Sequence, residues 1–196
     1  MPEPPVLRTP RLVLRQFALS DAPLVQALAG DREIAAGTLS IPHPYPPGAA
    51  ETWIGGLPDA WARGDQAAFA ITTPSDGPLG AIGLRIEPAH RRAELGYWIG
   101  RPFWGRGYAT EAGVAVIRFG FEELGLNRIQ AHHFVRNPAS GSVMRKLGMT
   151  CEGRLREGII KWGEPEDLDL YSILQREYQD RGIPARAGLI PERTTT

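Results

Sequence analysis

Residues 94–112 read ELGYWIGRPFWGRGYATEA, and this stretch decides the fold. Its first part, through Ile99, has the pattern of a strand, and the pattern changes to that of a helix after Gly105 and Gly107. Glycine adopts positive φ without strain, and the first amides of a helix are unpaired and lie at its positive end. The stretch therefore predicts a strand–turn–helix unit suited to phosphate oxygens. A tight turn without a ligand stays an alternative.

The patterns on both sides of this unit predict an α/β domain with a mixed sheet and helices on its faces. Alternating apolar and polar side chains, bounded by turn residues, predict strands over residues 11–17, 66–73, 79–87, 93–99, 128–135, 150–160 and 167–174. Apolar stripes with helical spacing predict helices over residues 22–29, 49–63, 108–124 and 138–147. The predicted order is βααβββαβαββ, in which short connections favour antiparallel pairs and the strand–helix–strand unit favours one crossover.

The composition is that of one soluble domain, because 42% of the 196 residues are apolar and 22% are charged. We expect a single domain over residues 1–180 and a mobile C-terminal tail over residues 181–196. The 22 basic and 22 acidic side chains cancel, which disfavours nucleic-acid and membrane partners. The N-terminus has no export signal and no apolar run is long enough to span a bilayer, so a cytoplasmic protein is expected.

Cysteine and histidine spacing predicts no metal site. The single cysteine, Cys151, is expected in the core, and the four histidines show no metal-ligand pattern. His132 and His133 are consecutive on a predicted strand, so they face opposite sides and cannot share one ion.

Four motifs carry a resemblance to a known family. Residues 104–109, WGRGYA, are similar to the pyrophosphate loop Gln/Arg-x-x-Gly-x-Gly/Ala of the GNAT N-acetyltransferase superfamily, with Trp104 at its first position. Residues 137–149, NPASGSVMRKLGM, and EGR at 152–154 resemble the family's Asn-x-x-Ser…Lys-x-Gly-Phe…Glu-Gly run, with Met149 in place of Phe. IPHPYP at 41–46 and DLDLY at 167–171 add to it. The chain looks most like the bacterial-type ribosomal-protein N-terminal acetyltransferases, the RimJ/RimL-like group.

The resemblance implies the GNAT acyl-CoA N-acyltransferase fold and acetyl-CoA as cosubstrate. In that fold the sheet is mostly antiparallel, and the parallel strands 93–99 and 128–135 splay apart near a bulge at Tyr97 and Trp98. The pantetheine arm enters this gap and bonds the backbone of residues 97–99. The implied cofactor-binding residues are Tyr97, Trp98, Ile99, Trp104, Gly105, Arg106, Gly107, Tyr108, Ala109, Thr110, Asn137 and Ser140.

The resemblance also implies direct attack of a primary amine on the thioester, without an acyl-enzyme. Glu94 is the candidate general base, acting through water, and Ser140 the candidate proton donor to the thiol. The backbone N–H of Ile99 or a neighbour would bind the oxyanion. Two alternatives stay open. Glu94 is a solvated strand glutamate or an ion-pair partner of Arg91 or Arg92, and Ser140 is a plain helix-cap or turn residue. Tyr171 is a second candidate acid, although packing is favoured for it.

The acceptor is expected to bind beside the proline-rich loop 41–47 and the hairpin link 161–166, where His43 and Tyr45 are candidate substrate-binding residues. A stiff surface loop without substrate contacts is the alternative for residues 41–47. A protein N-terminal α-amine is the first choice. Alternatives are a small amine such as a polyamine, an amino acid or an antibiotic, a non-catalytic acyl-CoA sensor, and a nucleotide-binding protein. The resemblance leaves a homodimer open.

Overall fold

The computed structural model describes residues 3–180, whose strands all join one eight-stranded sheet. The strands are β1 (Leu7–Arg8), β2 (Val13–Arg15), β3 (Gln66–Thr72), β4 (Gly80–Glu87), β5 (Arg92–Ile99), β6 (Arg128–Phe134), β7 (Thr150–Lys161) and β8 (Glu164–Leu174). The helices are α1 (Ala22–Ala29), α2 (Arg32–Gly37), α3 (Ala49–Arg63), α4 (Tyr108–Glu122), α5 (Pro138–Lys146) and α6 (Gln175–Asp180). The fold class predicted from the sequence is confirmed.

The strands lie in the order β1-β2-β3-β4-β5-β6-β8-β7, and their neighbours are antiparallel except for β5 and β6. Helix α4 makes the crossover between these two parallel strands, as the strand–helix–strand pattern predicts. The crossover places the glycine turn at the end of β5 and beside the junction between the two halves of the sheet.

The parallel pair splays apart, and this prediction is confirmed. Pairing of β5 with β6 is limited to residues 92–94 and 128–130, after which both strands continue without pairing to each other. The expected bulge at Tyr97 and Trp98 is wrong, because the register of β5 against β4 is continuous from Arg92 to Ile99. β5 stays with β4 and β6 stays with β8, so the sheet divides into two halves beyond the last β5–β6 pair, Glu94 with Gln130.

Helix α4 lies against the main core and carries small residues where it approaches its neighbours. A Cβ on Gly113 would lie 2.8 Å from the methyl carbons of Leu147, and one on Gly120 would lie 2.8 Å from a methyl of Ile129. A second cluster, of Ala22, Val25, Ala29, Ala50 and Ile54, joins α1 to α3. Tyr97 packs against the main core and Trp98 against the second cluster, as alternation along β5 requires.

Three short elements were missed from the sequence: β1, α2 and α6. Each spans six residues or fewer, too few for a hydrophobic period to show. The closing hairpin is also tighter than predicted, since β7 reaches Lys161 and β8 begins at Glu164. Cys151 is exposed on the edge strand β7, so its predicted core position is wrong. The tail predicted over residues 181–196 lies outside the described residues.

Candidate active site

The gap between β5 and β6 presents backbone groups of β5. Gly100 N–H donates to the carbonyl of Leu79 at 2.7 Å. Antiparallel alternation then directs the backbone groups of Trp98 towards β4 and those of Tyr97 and Ile99 into the gap. The indole Nε1–H of Trp104 donates to the Ile99 carbonyl at 2.6 Å, in agreement with this orientation. The N–H of Ile99 and both backbone groups of Tyr97 therefore face the gap.

The glycine turn lies at the end of β5 and opens α4. Gly105 and Gly107 have φ values of 73° and 78°, in the left-handed region that favours glycine. The first helical hydrogen bond runs from the N–H of Glu111 to the carbonyl of Gly107 at 3.0 Å. The amides of residues 108–110 precede that bond and lie at the positive end of the helix. This geometry suits a pyrophosphate, as the sequence predicts.

A pair of hydroxyl groups lies where α5 meets β5. The hydroxyl oxygens of Tyr97 and Ser140 are 2.7 Å apart, and the Ser140 carbonyl oxygen, at 3.1 Å, is a second acceptor within reach of the single Tyr97 hydroxyl proton. Burial raises the pKa of Tyr97 to about 12, although the hydrogen bond with Ser140 opposes this. Asn137 is the N-cap of α5, and its Oδ1 accepts from the N–H of Ser140 at 3.3 Å. The capping alternative for the Ser140 side chain is therefore wrong.

Glu94 lies where the paired part of β5 and β6 ends, on the face opposite Tyr97. Its Oε1 is 3.1 Å from Nη2 of Arg85 and 3.7 Å from Nε2 of His132. Its side chain is 23% exposed, so water reaches the carboxylate. The ion pair that the alternative expected with Arg91 or Arg92 is not the one observed, because Arg92 binds Glu87.

The other candidate acid, Tyr171, is a buried residue of β8. Its ring lies 5.6 Å from that of His133, and its hydroxyl accepts from Nη1 of Arg145 at 3.3 Å. These contacts agree with the packing role favoured for Tyr171. His133 is buried and His132 reaches Glu94, so the two histidines face opposite sides as predicted.

The loop over residues 38–47 and the β7–β8 turn at 162–163 lie together, and we call them the acceptor-side wall. Nζ of Lys161, at the end of β7, donates to the carbonyls of Leu39 at 3.4 Å and Ile41 at 3.1 Å. The ring of His43 lies 6.2 Å from that of Trp162. His43 is exposed, whereas Tyr45 packs against the α1–α3 cluster. Of the two predicted substrate residues, His43 is thus the more accessible.

Sequence reasoning missed the partners of the candidate residues, namely Arg85, His132 and Lys161. The contact between Arg85 and Glu94 follows from the hairpin register, which pairs these two positions directly. The contacts of Lys161 cross about 120 positions of the chain, and no local pattern predicts them.

Residues 3–180 show neither a membrane span nor a metal-ion cluster. No helix there is long and apolar enough to cross a bilayer. In the same range, no group of three or more His, Cys, Asp or Glu side chains is arranged to hold a metal ion.

The comparisons with known proteins agree with this geometry. The family described as "Acetyltransferase (GNAT) domain" matches residues 11–150. "Uncharacterized N-acetyltransferase p20" of Bacillus licheniformis is 33% identical over 174 residues, which cover 88% of this chain and 97% of that protein. The "Ribosomal-protein-serine acetyltransferase" of Escherichia coli is 32% identical over 111 residues, covering 56% of this chain and 62% of that protein. A solved GNAT-family acetyltransferase from Bacillus anthracis is 25% identical with a TM-score of 0.75, covering 88% of this chain and 100% of that chain.

Proposed function

This chain belongs to the GNAT acetyltransferase family and is an acetyl-CoA-dependent N-acetyltransferase, and from this premise we propose that its acceptor is the α-amine of a protein N-terminus. The observation that carries the proposed site is the stretch of β5 that lacks a partner on its β6 side and is followed by the glycine turn of α4. The turn would hold the pyrophosphate of acetyl-CoA, and the gap would hold the pantetheine arm as an added strand.

The proposed chemistry uses three groups around this gap. Glu94 accepts a proton from the incoming ammonium through water, which leaves a neutral amine to attack the thioester carbonyl. The N–H of Ile99 donates to the oxyanion that forms on the carbonyl oxygen. The C–S bond then breaks, and the Ser140 hydroxyl donates a proton to the departing thiolate. The nitrogen loses its surplus proton as the amide forms, and this proton returns to Ser140 through water, so both groups end neutral. Positioning of the two substrates contributes much of the rate.

Ser140 is suited to this role by its partner. When the Tyr97 hydroxyl donates to Ser140 Oγ, across 2.7 Å, the Ser140 proton is free to point towards the sulfur. As Ser140 gives up its proton, the same hydrogen bond stabilises the charge that develops on its oxygen. Asn137 supports the arrangement by capping the helix that carries Ser140.

The charge of the acceptor-side wall supports a peptide over a polyamine. Within residues 3–180, Nζ of Lys161 contacts backbone carbonyls and no carboxylate, and it lies 5.2 Å from the Trp162 ring centroid. The exposed guanidinium of Arg32 lies 5.6 Å from the same centroid. Lys161 is buried and Arg32 is exposed, so both cations lie beside Trp162 but only Arg32 faces the solvent. A polyamine would bring several positive charges close to these two cations, whereas a peptide N-terminus brings one. The name of the Escherichia coli relative, which specifies a ribosomal protein as substrate, agrees with this choice.

The test is release of free thiol from acetyl-CoA in the presence of a panel of amines. The panel contains peptides with free Ala, Ser or Met N-termini, polyamines, amino acids and aminoglycosides, and CoA binding is measured in parallel by calorimetry. Each peptide is made in two forms, with Glu or with Lys at its third and fourth positions. We expect release with peptides, and a lower KM for the Glu form because Arg32 and Lys161 lie beside Trp162 of the wall.

Thiol release with polyamines and none with any peptide would contradict the proposed acceptor. CoA binding without release to any member of the panel would favour an acyl-CoA sensor instead. Competition of ATP with CoA for binding, at equal concentrations of the two, would favour a nucleotide-binding protein.

A further inference from the structure

Arg11 reaches the glycine turn from a distant part of the chain. It lies between β1 and β2, and its guanidinium extends to the N-terminus of α4. Nη1 of Arg11 donates to the carbonyl of Arg106 at 3.0 Å, and Arg106 is the residue between the two left-handed glycines. A Cβ on Gly107 would lie 3.5 Å from Nη2 of Arg11. Arg11 thus borders the proposed pyrophosphate site directly.

Glu111 holds the Arg11 guanidinium in this position. Nε of Arg11 donates to Oε2 of Glu111 at 2.6 Å, while Oε1 of Glu111 accepts from the Arg11 N–H at 2.9 Å and from the Thr9 hydroxyl at 2.6 Å. Burial alone would raise the pKa of Glu111, but these hydrogen bonds outweigh it and the pKa lies below its ordinary value. The carboxylate therefore stays charged, and it ties the turn between β1 and β2 to the first turn of α4.

The remaining contacts of Arg11 keep its charge beside the turn. Its guanidinium lies 5.0 Å from the centroid of the Tyr108 ring, and its side chain is 51% exposed. The bond to the Arg106 carbonyl directs that oxygen towards Arg11. The peptide plane that carries the oxygen also carries the N–H of Gly107 on its other side, because a trans peptide points the two groups in opposite directions. Arg11 thereby orients an amide of the turn as well as supplying a positive charge.

We propose that Arg11, held in place by Glu111, is a positioning residue for the pyrophosphate of acetyl-CoA. It acts by orienting the peptide between Arg106 and Gly107 and by placing a positive charge beside the turn. This inference rests on the proposed placement of the pyrophosphate at the 105–109 turn. It gives a function to the segment between β1 and β2, which belongs to none of the motifs at the gap.

The test is calorimetric titration of Arg11→Ala and Arg11→Lys with CoA, with 3′-dephospho-CoA and, by competition, with pantetheine. Arg11→Ala is expected to weaken CoA and 3′-dephospho-CoA by about tenfold each and to leave pantetheine unchanged. Arg11→Lys is expected to lose most of the same affinity, because lysine keeps the charge but lacks the planar fork that bonds Glu111 and Arg106 together.

The matched control is Arg63→Ala, which removes an exposed ion pair with Asp65 at the end of α3. It should bind all three ligands like the wild type. The thermal midpoint of every variant is measured as a check on folding. Glu111→Gln keeps Arg11 but weakens its attachment, and we expect its affinity for CoA to fall by about threefold.

Three results would overturn the proposal. The first is wild-type affinity for CoA in Arg11→Lys. The second is a loss of affinity in Arg11→Ala for CoA but not for 3′-dephospho-CoA, which would assign Arg11 to the 3′-phosphate, and the third is an equal loss for pantetheine, which would indicate a general structural defect. Gly107→Val separates this proposal from the one on which it rests. Loss of CoA binding in Gly107→Val with unchanged binding in Arg11→Ala would reject Arg11 alone. Unchanged binding in both variants would reject the pyrophosphate site itself.

Discussion

Glu94 shows how single neighbours direct a candidate catalytic residue. It pairs with Arg85 across the β4–β5 ladder and lies 3.7 Å from His132 of β6, so both halves of the splayed sheet hold its carboxylate at the closed end of the gap. These contacts aim the carboxylate while leaving it partly exposed to the water that would carry the proton. A glutamate that is only an ion-pair partner can be equally exposed, as Glu87 is, so kinetics and not geometry separates the two roles.

We expect Glu94→Gln to lower kcat with the preferred peptide by about 100-fold and to leave the Kd for CoA unchanged. The defect should be largest at low pH, where the acceptor amine is protonated and needs a base, and should shrink above the α-amine pKa of about 8. Steady-state rates between pH 6 and 10 measure this. Glu87→Gln, which removes the Arg92 ion pair elsewhere on the sheet, is the control and should keep the wild-type profile. Equal rates for Glu94→Gln and wild type at every pH would exclude Glu94 as the base.

The Tyr97 hydroxyl gives a second prediction for a single residue. With a pKa of about 12, Tyr97 stays neutral throughout the assay range, so its effect on Ser140 is that of a hydrogen bond. Tyr97→Phe should lower kcat by about tenfold, the value of one hydrogen bond to a developing charge, without changing the Kd for CoA. Tyr171→Phe removes a buried hydroxyl that contacts Arg145 and should keep full activity. Full activity in Tyr97→Phe together with a loss of activity in Tyr171→Phe would indicate that Tyr171 is the acid.

At the scale of elements, an ion pair joins β6 to the edge strand of the sheet. The guanidinium of Arg128 binds Glu152 of β7 with Nη1 at 2.7 Å and Nη2 at 2.5 Å, and the Ser172 hydroxyl of β8 donates to the same carboxylate at 2.7 Å. The bonds from Arg128 and Ser172 lower the pKa of Glu152 to about 2. The strands that carry one side of the gap are therefore connected by a charged group as well as by their backbone ladders.

Glu152→Gln is expected to lower the free energy of unfolding at pH 7 by about 1 kcal/mol, a modest amount because both side chains are partly exposed. An unfolded glutamate has a pKa near 4.3, so the contribution is fully present above about pH 5 and disappears as the pH falls towards 2. Urea denaturation of wild type and variant at pH 7, 4 and 3 measures this convergence. Asp65→Asn, which breaks the exposed Arg63 pair, should differ little from wild type at pH 7. If the difference in free energy of unfolding between Glu152→Gln and wild type grew at low pH, the stabilising role of the charged Glu152 would be contradicted.

At the scale of the whole molecule, distant segments meet at the acceptor-side wall. Lys161 holds the carbonyls of Leu39 and Ile41, Nη1 of Arg136 donates to the carbonyl of Ala36 at 2.9 Å, and Nδ2 of Asn137 donates to the carbonyl of Gly37 at 3.4 Å. The start of α5, next to the proposed thiol site, is thereby connected to the end of α2, from which the chain continues into the wall. The acceptor loop and the cosubstrate gap are parts of one arrangement that the tertiary fold assembles.

Lys161→Met should release the loop while preserving most of the apolar volume at this site. The expected result is a KM for the peptide that rises about tenfold, with the Kd for CoA within twofold of wild type, because two hydrogen bonds from a charged donor are lost on the acceptor side alone. Lys146→Met, at the exposed end of α5, changes the chain's only other lysine and should leave both constants unchanged. A parallel loss of CoA binding in Lys161→Met would indicate general unfolding instead.

Much of the fold could be predicted because its elements are long and periodic. The strands on both sides of the glycine turn and the helix after it appear close to their predicted positions, and the turn conformation follows from Gly105 and Gly107. Local backbone preference and hydrophobic period determine such features, and both are written in neighbouring residues. The short elements β1, α2 and α6 were missed because six residues or fewer show no period.

The sequence by itself determined the strand–turn–helix unit, the family resemblance and the candidate residues Glu94 and Ser140. Only the tertiary structure decided their partners: Arg85 and His132 for Glu94, Tyr97 for Ser140, and the absence of a bulge in β5. The ion pair between Arg11 and Glu111 joins residues that are 100 positions apart in the chain. Contacts of this kind depend on how the sheet twists and how its helices pack, so no local pattern encodes them.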